Sequence, residues 1–364
     1  MVQNIFVTAT RPNEGKTAVT IGLTAALVKQ VKRVGFIKPV GQADRGAGRH
    51  RVDEDTLLVE KACIVHCNLG DMNPIVIESG FPISFMNPSV LEGHMQNLEA
   101  AYRRIADGKD IVVLEGSGHA ALGASFGLSN ASIAKQFNAK VLLVSSGGVG
   151  NPIDEILLNR CYFEKEGVHL LGVIINKVRD EDWNAVQSIT KTILEDHGIR
   201  FLGAIPYKPD LYRPTLMQVV EALRGKLLHG ETRLSRPIGQ INVGAMTVAN
   251  ALQRISGPIL LIAPGDRDDL IIGALHAQST GWNDLSLTGL VITGNLHPSR
   301  ATLELIKKSD VPTILVEPNS YETAARIAEL PVKISPWDCE KIDTIVQTFA
   351  EHVDLQRLMN LLEA

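Results

Sequence analysis

A short polar loop ends in Gly15, Lys16 and Thr17 and leads directly into a helical pattern. An apolar strand pattern at 4–8 precedes this loop, and Thr10 stands where the common form of the motif has glycine. Such a loop turns the first backbone N–H groups of the helix toward an anion. Its lysine reaches the outer phosphates of a nucleotide, and its threonine hydroxyl can bind Mg²⁺. An ordinary helix start is the alternative, but strand, loop and helix follow in the required order, so the sequence predicts a phosphate-binding loop.

Length and charge restrict the class of protein further. The 364 residues suggest two domains, and 36 basic residues against 40 acidic ones give no sign of a nucleic-acid or anionic-membrane partner. No apolar run approaches the ~20 residues of a membrane span, and the first strand begins so early that no leader segment is expected. Four cysteines are too few for a disulfide scaffold of this size, so we expect a cytoplasmic protein.

Short β-branched runs alternate with helical patterns over the first 210 residues. Strands are expected at 4–8, 34–38, 111–115, 140–145, 171–175 and 201–205. Helices are expected at 16–31, 92–106, 152–166 and 183–196. This alternation, with strands that are apolar almost throughout, predicts an α/β fold whose parallel sheet is covered on both faces. Ligands of such sheets bind at the carboxyl ends of the strands.

Polar residues lie at several of these strand ends. Lys38 closes the second strand, where it would meet either an anionic substrate group or only solvent. Asp55 precedes a helical stretch, so it either holds Mg²⁺ or favours the helix start. Glu115 closes the third strand as a metal carboxylate or as an ordinary strand end. Asn176 follows 171–175 and would either contact a nucleobase edge or cap a turn.

The order of these motifs resembles the dethiobiotin-synthetase-like P-loop domain, and more closely the version at the N-terminus of long-form phosphotransacetylases. The resemblance covers roughly residues 1–215 and rests on the phosphate loop and five later motifs: Lys38-Pro39-Val40, Asp55, Glu115-Gly116, Asn176-Lys177 and Gly203-Ala204-Ile205-Pro206. Ala9 stands where the synthetase has glycine, and 43–51 does not look like its substrate loop. These two departures argue against carboxylating chemistry more than against nucleotide binding.

The resemblance implies that this domain binds ATP together with Mg²⁺. The residues that it assigns to the nucleotide are Thr10, Glu14, Gly15, Lys16, Thr17, Ala18, Asn176 and Pro206. It assigns Thr17, Asp55 and Glu115 to the metal. If the chain is an enzyme, Lys16 and Lys38 are its candidate catalytic lysines.

A second α/β pattern follows a short helix expected at 214–225 and a junction expected at 226–238. Its strands are expected at 258–263, 287–292 and 311–316, and its helices at 269–277 and 299–308. We therefore expect a P-loop NTPase parallel sheet followed by a second, smaller α/β domain.

The loops of this second pattern carry four residues that resemble the DRTGG domain, which follows the P-loop domain in long phosphotransacetylases. They are Asp266, Arg267, Thr293 and Gly294. Asn295 replaces the last glycine of the usual Thr-Gly-Gly trio. As an alternative to a functional role, Asp266 and Arg267 would form a structural ion pair at a helix start.

The predicted domains are 1–213, 214–337 and a single C-terminal helix at 338–364. A phosphotransacetylase needs an acyltransferase domain, which we do not expect in this chain. We expect an ATP- and Mg²⁺-binding regulator that senses a metabolite or energy state, with a protein partner or a homo-oligomer formed through the second domain. The alternatives are an ATP-dependent ligase of the dethiobiotin-synthetase type, with Lys38 gripping an anionic substrate, and a degenerate fold that binds no nucleotide.

Overall fold

The computed structural model describes residues 2–30, 33–43, 53–78, 87–330, 332 and 334–364. The chain divides into two compact units. The first contains the residues up to Lys208 together with Cys339–Ala364, and the second is Pro209–Asp338. The predicted departure at 43–51 lies, except for Ala43, outside the described residues. Within the described part of the chain, no helix combines the length and the apolar character needed to cross a bilayer.

The strands of the first unit lie in a six-stranded sheet and a small two-stranded sheet. In chain order they are β1 (Gln3–Ala9), β2 (Val34–Ile37), β3 (Val40–Ala43), β4 (Ile75–Glu78), β5 (Ile111–Glu115), β6 (Lys140–Ser146), β7 (Leu170–Val178) and β8 (Phe201–Pro206). The large sheet is parallel with the order β2-β5-β1-β6-β7-β8, which confirms the six predicted strands, whereas the β3–β4 pair was not predicted. Phe6 in central β1 pairs with Leu114 and Val141, and all three are fully buried.

Eight helices precede the second unit in the described chain. They are α1 (Lys16–Gln30), α2 (Glu54–Cys63), α3 (Leu69–Met72), α4 (Pro88–Ala106), α5 (Asn130–Gln136), α6 (Asn151–Lys165), α7 (Trp183–Ala185) and α8 (Lys191–Asp196). A π-helical turn at Val186–Thr190 joins α7 to α8, so the helix predicted at 183–196 is present but irregular. Most of α1 between Val19 and Leu27 is buried, which holds the helix firmly behind the phosphate loop.

The second unit contains a five-stranded sheet with helices. Its elements are α9 (Leu216–Leu223), β9 (Lys226–His229), β10 (Gln240–Val243), α10 (Val248–Leu252), β11 (Pro258–Pro264), α11 (Asp268–Thr280), β12 (Ser286–Thr293), α12 (Arg300–Lys308), β13 (Thr313–Leu315) and α13 (Ser320–Ala328). The strand order is β10-β11-β12-β13-β9, in which β9 alone is antiparallel to its neighbour. The predicted smaller α/β domain is confirmed.

The prediction of a junction at 226–238 is wrong at its start, where β9 lies. Gly225 and Gly230 flank this strand and give it the appearance of a loop in the sequence. Leu227 and Leu228 nevertheless pack against two different apolar clusters of the unit. A strand of four residues with one leucine on each face shows too little periodicity to be recognised.

The single C-terminal helix predicted at 338–364 is also wrong, because the structure has two helices, α14 (Cys339–His352) and α15 (Leu355–Glu363). The chain breaks between them at Val353, which forms an antiparallel bridge with Gly203 of β8. The N–H of Asp354 then donates to the carbonyl of Leu202 at 2.9 Å, and the Asp354 side chain caps α15. This segment covers the edge strand of the first sheet.

Candidate nucleotide-binding site

The phosphate loop joins β1 to α1 and is fixed by its neighbours. The N–H of Thr10 donates to the carbonyl of Val144 at 2.9 Å, and its hydroxyl donates to Ser145 Oγ at 3.1 Å. Thr10 therefore serves as a tie to β6, which explains a side chain where the common motif has glycine. Gly15 has a φ of +83°, and a Cβ there would come 2.1 Å from Asn176 Nδ2. Only glycine therefore fits at position 15.

Lys16, Thr17 and Glu115 meet at the carboxyl edge of the sheet. Lys16 Nζ lies 2.5 Å from Glu115 Oε1, and Thr17 Oγ1 donates to the same oxygen at 3.3 Å. Glu115 is fully buried, and its second oxygen, Oε2, has no hydrogen-bond partner among the described residues. The N–H groups of the first turn of α1 also lack intrahelical acceptors. The fold therefore brings together a cation, a hydroxyl, a carboxylate and backbone donors at this edge.

Lys38 lies among three carboxylates. Its Nζ is 2.8 Å from Asp53 Oδ1, 2.5 Å from Asp55 Oδ2 and 3.8 Å from Glu115 Oε1. Burial by itself lowers the pKa of Lys38, but Glu115, Asp55 and Asp53 outweigh it and raise that pKa above its ordinary value. The ammonium is thus held inside the site and is hardly exposed at the strand end.

The site's fit to a divalent cation rests on Thr17 and Glu115. A hydroxyl and a carboxylate with an unpaired buried oxygen are the hard ligands that Mg²⁺ prefers. Asp55 pairs with Lys38, whose ammonium lies 3.8 Å from Glu115 Oε1. Among the described residues, no three His, Cys, Asp or Glu side chains are already grouped as a metal centre. A phosphate oxygen and water would have to complete the coordination.

Two buried asparagines that sequence reasoning missed position these side chains. Asn73 Nδ2 donates to the carbonyl of Lys38 at 2.9 Å, and its Oδ1 accepts from the N–H of Asp53 at 3.3 Å. Asn130 Oδ1 accepts from the N–H of Ser117 at 3.1 Å and fixes the loop after β5. Neither asparagine belongs to a recognisable motif, because each acts on backbone groups far away in sequence.

Asn176 and Lys177, at the end of β7, contact the phosphate loop from its other side. Asn176 Nδ2 donates to the carbonyl of Glu14 at 2.9 Å, and Lys177 Nζ donates to that of Asn13 at 2.6 Å. Burial lowers the pKa of Lys177, and the charge of Glu14 opposes part of this effect. Lys177 also has a left-handed φ of +56°. The amide of Asn176 is therefore engaged with the loop, and Oδ1 is the atom that it would offer to a base.

The remaining residues assigned to the nucleotide occupy different places. Ala18 lies in the first turn of α1, and Glu14 lies in the loop with Oε2 buried and without a hydrogen-bond partner among the described residues. Pro206 ends β8, where it is paired with Val178 of β7. The structure thus places Pro206 at the same edge of the sheet as the phosphate loop, but with two strands, β6 and β7, between β8 and β1.

In the second unit, Arg267 does not pair as the sequence alternative proposed. Its Nε lies 2.8 Å from Asp269 Oδ1 rather than pairing with Asp266. The same guanidinium donates to the carbonyls of Gly244 at 3.3 Å and Met246 at 2.9 Å. Asp269 lies in the first turn of α11, two residues after Arg267. Arg267 therefore ties the loops after β10 and β11 together.

Thr293 and Gly294 lie at the end of β12, beside β11. The hydroxyl of Thr293 is 2.8 Å from Ser320 Oγ, and Gly294 has a φ of +75°. Asn295, which replaces the usual glycine, has a φ of +52°. Asparagine tolerates this left-handed conformation better than most residues, so the departure from the motif preserves the backbone path.

Comparison with known protein families identifies two stretches of the chain. The AAA domain family matches residues 3–215, and the DRTGG domain matches residues 218–330. The prediction of a P-loop nucleotide-binding domain followed by a DRTGG domain, as in phosphotransacetylases, is confirmed.

Curated relatives carry the name phosphate acetyltransferase. The Synechocystis protein is 28% identical over 373 residues, which cover 100% of this chain and 52% of that protein. The Pseudomonas putida protein is 28% identical over 373 residues, covering 97% of this chain and 51% of its own. The chain therefore spans about half the length of the curated relatives that it matches.

Solved structures resemble the chain only slightly. A ParA family ATPase from Chlorobium tepidum matches with 13% identity and a TM-score of 0.35, covering 58% of this chain and 86% of that one. The CBS and DRTGG domains of a Clostridium perfringens pyrophosphatase match with 19% identity and a TM-score of 0.29, covering 40% of this chain and 70% of that one. Similarities of this size carry no argument about function.

Proposed function

Because the chain belongs to the AAA domain family and carries a DRTGG domain, we propose that it is an ATP- and Mg²⁺-binding regulator. The observation that carries this proposal is the meeting of Lys16, Thr17 and fully buried Glu115 behind a phosphate loop. A buried carboxylate with an unpaired oxygen is costly unless a cation uses it.

Different residues of the site bind the phosphates, the metal and the base. The N–H groups at the start of α1 face the phosphates, and the ammonium of Lys16 contacts the outer ones. Thr17 and Glu115 hold the metal, which offsets phosphate charge when bound. Asn176 offers Oδ1 to the base while its amide stays on the loop.

The ligase alternative needs a Lys38 that can grip an anionic substrate. In the structure this ammonium is shared by Asp53, Asp55 and Glu115, so an incoming anion would have to compete with three carboxylates. The contacts of Lys38 therefore favour regulation over ligase chemistry. The degenerate alternative is disfavoured by the close contacts that Lys16 and Thr17 make with Glu115.

The regulatory part of the proposal rests on the second unit and on the relatives. A DRTGG domain beside a nucleotide unit, in a chain similar to about half of a phosphate acetyltransferase, supports sensing of a metabolite or energy state. We propose that the protein acts in the cytoplasm and forms a homo-oligomer through the second unit, or binds a protein partner.

Isothermal titration calorimetry of the full chain with ATP, ADP, GTP and cyclic nucleotides, with and without Mg²⁺, tests this function. We expect ATP to bind and Mg²⁺ to strengthen its binding. A folded protein that binds none of these nucleotides in the presence of Mg²⁺ would overturn the proposal.

A further inference from the structure

Glu115 is placed to oppose nucleotide phosphates as well as to serve a metal. It is fully buried at the end of β5, directly against the two residues that begin α1. Its Oε1 accepts from both Lys16 and Thr17, whereas Oε2 has no partner among the described residues. The ammonium group of Lys16 that would attract the phosphates is therefore the same group that neutralises the charge of Glu115.

The neighbouring charges cannot easily replace Lys16. Lys38 is the other lysine that contacts Glu115, but at 3.8 Å, and it is closer to Asp53 and Asp55. Among the described residues, Lys16 and Lys38 both lie beside Glu115, and Lys38 is shared with Asp53 and Asp55. If phosphates engage Lys16, the cation that stays beside Glu115 among the described residues is Lys38, which is more distant and is shared with other carboxylates. A buried carboxylate left in that state raises the free energy of the complex.

From these contacts we infer that Glu115 makes nucleotide binding conditional on a divalent cation. Without the cation, the carboxylate competes with the phosphates for Lys16 and repels their charge. With the cation bound to Thr17 and Glu115, its positive charge replaces that of Lys16 beside the carboxylate. The inference rests on the proposed function, and it assigns Glu115 a selective role: it weakens the binding of metal-free nucleotide.

The inference predicts a change in metal-free ATP affinity that the loss of a simple metal ligand would not cause. Replacing an ordinary ligand would weaken binding with the metal and leave metal-free binding unchanged. Glu115→Gln keeps the size of the side chain and removes its charge, so Lys16 is released. We expect metal-free ATP to bind about tenfold more tightly or better, the size of one charged hydrogen bond, while the gain from Mg²⁺ is largely lost.

Asp110→Asn is the matched control. Asp110 directly precedes the same strand at its opposite end, and its carboxylate pairs with exposed Arg33. The same change of acid to amide at this site should leave both ATP affinities unaltered.

The test is calorimetry of the full-length parent, Glu115→Gln and Asp110→Asn with ATP, in EDTA and in Mg²⁺, with thermal unfolding to verify each fold. A tighter metal-free affinity in Glu115→Gln alone supports the inference. A folded Glu115→Gln with unchanged or weaker metal-free affinity overturns it and leaves the nucleotide site intact. A parent that binds no ATP with Mg²⁺ overturns the proposed function and the inference together.

A second variant keeps the inference testable if Glu115→Gln does not fold. Lys16→Met removes the competing ammonium, so nucleotide-free protein should bind Mn²⁺ about tenfold more tightly than the parent, measured by electron paramagnetic resonance. An unchanged Mn²⁺ affinity would show that Lys16 does not occupy the metal's place at Glu115, and the inference would fail.

Discussion

The backbone of Gly22 lies directly against the side chain of Phe349. A Cβ atom on Gly22 would come 2.5 Å from both Cβ and Cγ of the phenylalanine. Gly22 is in the middle of α1, which the phosphate loop opens, and Phe349 is a buried residue of α14. The last helices of the chain therefore complete the nucleotide unit, although the whole second unit separates them from it in sequence.

Gly22→Ala should destabilise the first unit by about 1–3 kcal/mol, because the added methyl group overpacks a rigid contact. Gly93→Ala is the control: Gly93 is an exposed residue of α4 with nothing within 4 Å of its Cβ position, so alanine should stabilise by about 0.5–1 kcal/mol. Hydrogen exchange of the β1 and β6 amides in urea measures both. Equal stability of Gly22→Ala and the parent would rule out the tight contact.

Removal of 339–364 should unfold the first unit. The truncation removes Phe349 from α1, takes the Val353 bridge from the edge of β8, and exposes the core beneath α14 and α15. We expect the β1 and β6 amides to lose their protection from exchange while those of β11 and β12 keep it. Full protection of the first sheet in the truncated chain would contradict the assignment of these helices to the first unit.

The parallel sheet and the phosphate loop could be predicted because their signals are local. β-branched runs, a loop that ends Gly-Lys-Thr and acidic or amide residues at strand ends are all visible in short windows. The surface against which α14 packs could not be predicted from the sequence. The apolar stripe that includes Ile342, Ile345 and Phe349 indicates that the helix needs a surface, but an amphipathic pattern does not say which one.

The site was predictable to the same extent. Lys16 and Thr17 begin the helix after β1, and Glu115 ends the neighbouring strand β5, so their meeting follows from the parallel sheet. The contacts of Lys38 with Asp53 and Asp55 depend on how the chain returns after β2, and no sequence window contains that information. The hydrogen bonds of Asn73 and Asn130 were missed for the same reason.

Arg267→Ala should destabilise the second unit by about 1–2 kcal/mol, since the guanidinium holds the carbonyls of Gly244 and Met246 as well as Asp269 and is only partly exposed. Arg326→Ala, which breaks an exposed ion pair with Glu322 in the same unit, should cost less than about 0.5 kcal/mol. Hydrogen exchange of the β11 and β12 amides measures the stability of the second unit separately from that of the first. If the two variants cost the same, the role given to Arg267 is wrong.

The fragment 209–338 should fold alone and self-associate. It contains all five strands of the second sheet and two apolar clusters of its own. Circular dichroism tests the first part, and light scattering at tens of micromolar tests the second. A folded monomer would remove the proposed assembly role, and an unfolded fragment would contradict the division of the chain.

Calorimetry of Mg²⁺-ATP binding to Lys16→Ala tests the central claim most directly. The ammonium of Lys16 is the group that would contact the outer phosphates, so we predict a loss of about 1.5–3 kcal/mol, roughly ten- to a hundredfold in affinity. Lys29→Ala, an exposed residue in the last turn of the same helix, should bind like the parent. Equal affinities of folded Lys16→Ala and the parent for Mg²⁺-ATP would contradict a nucleotide site at this loop.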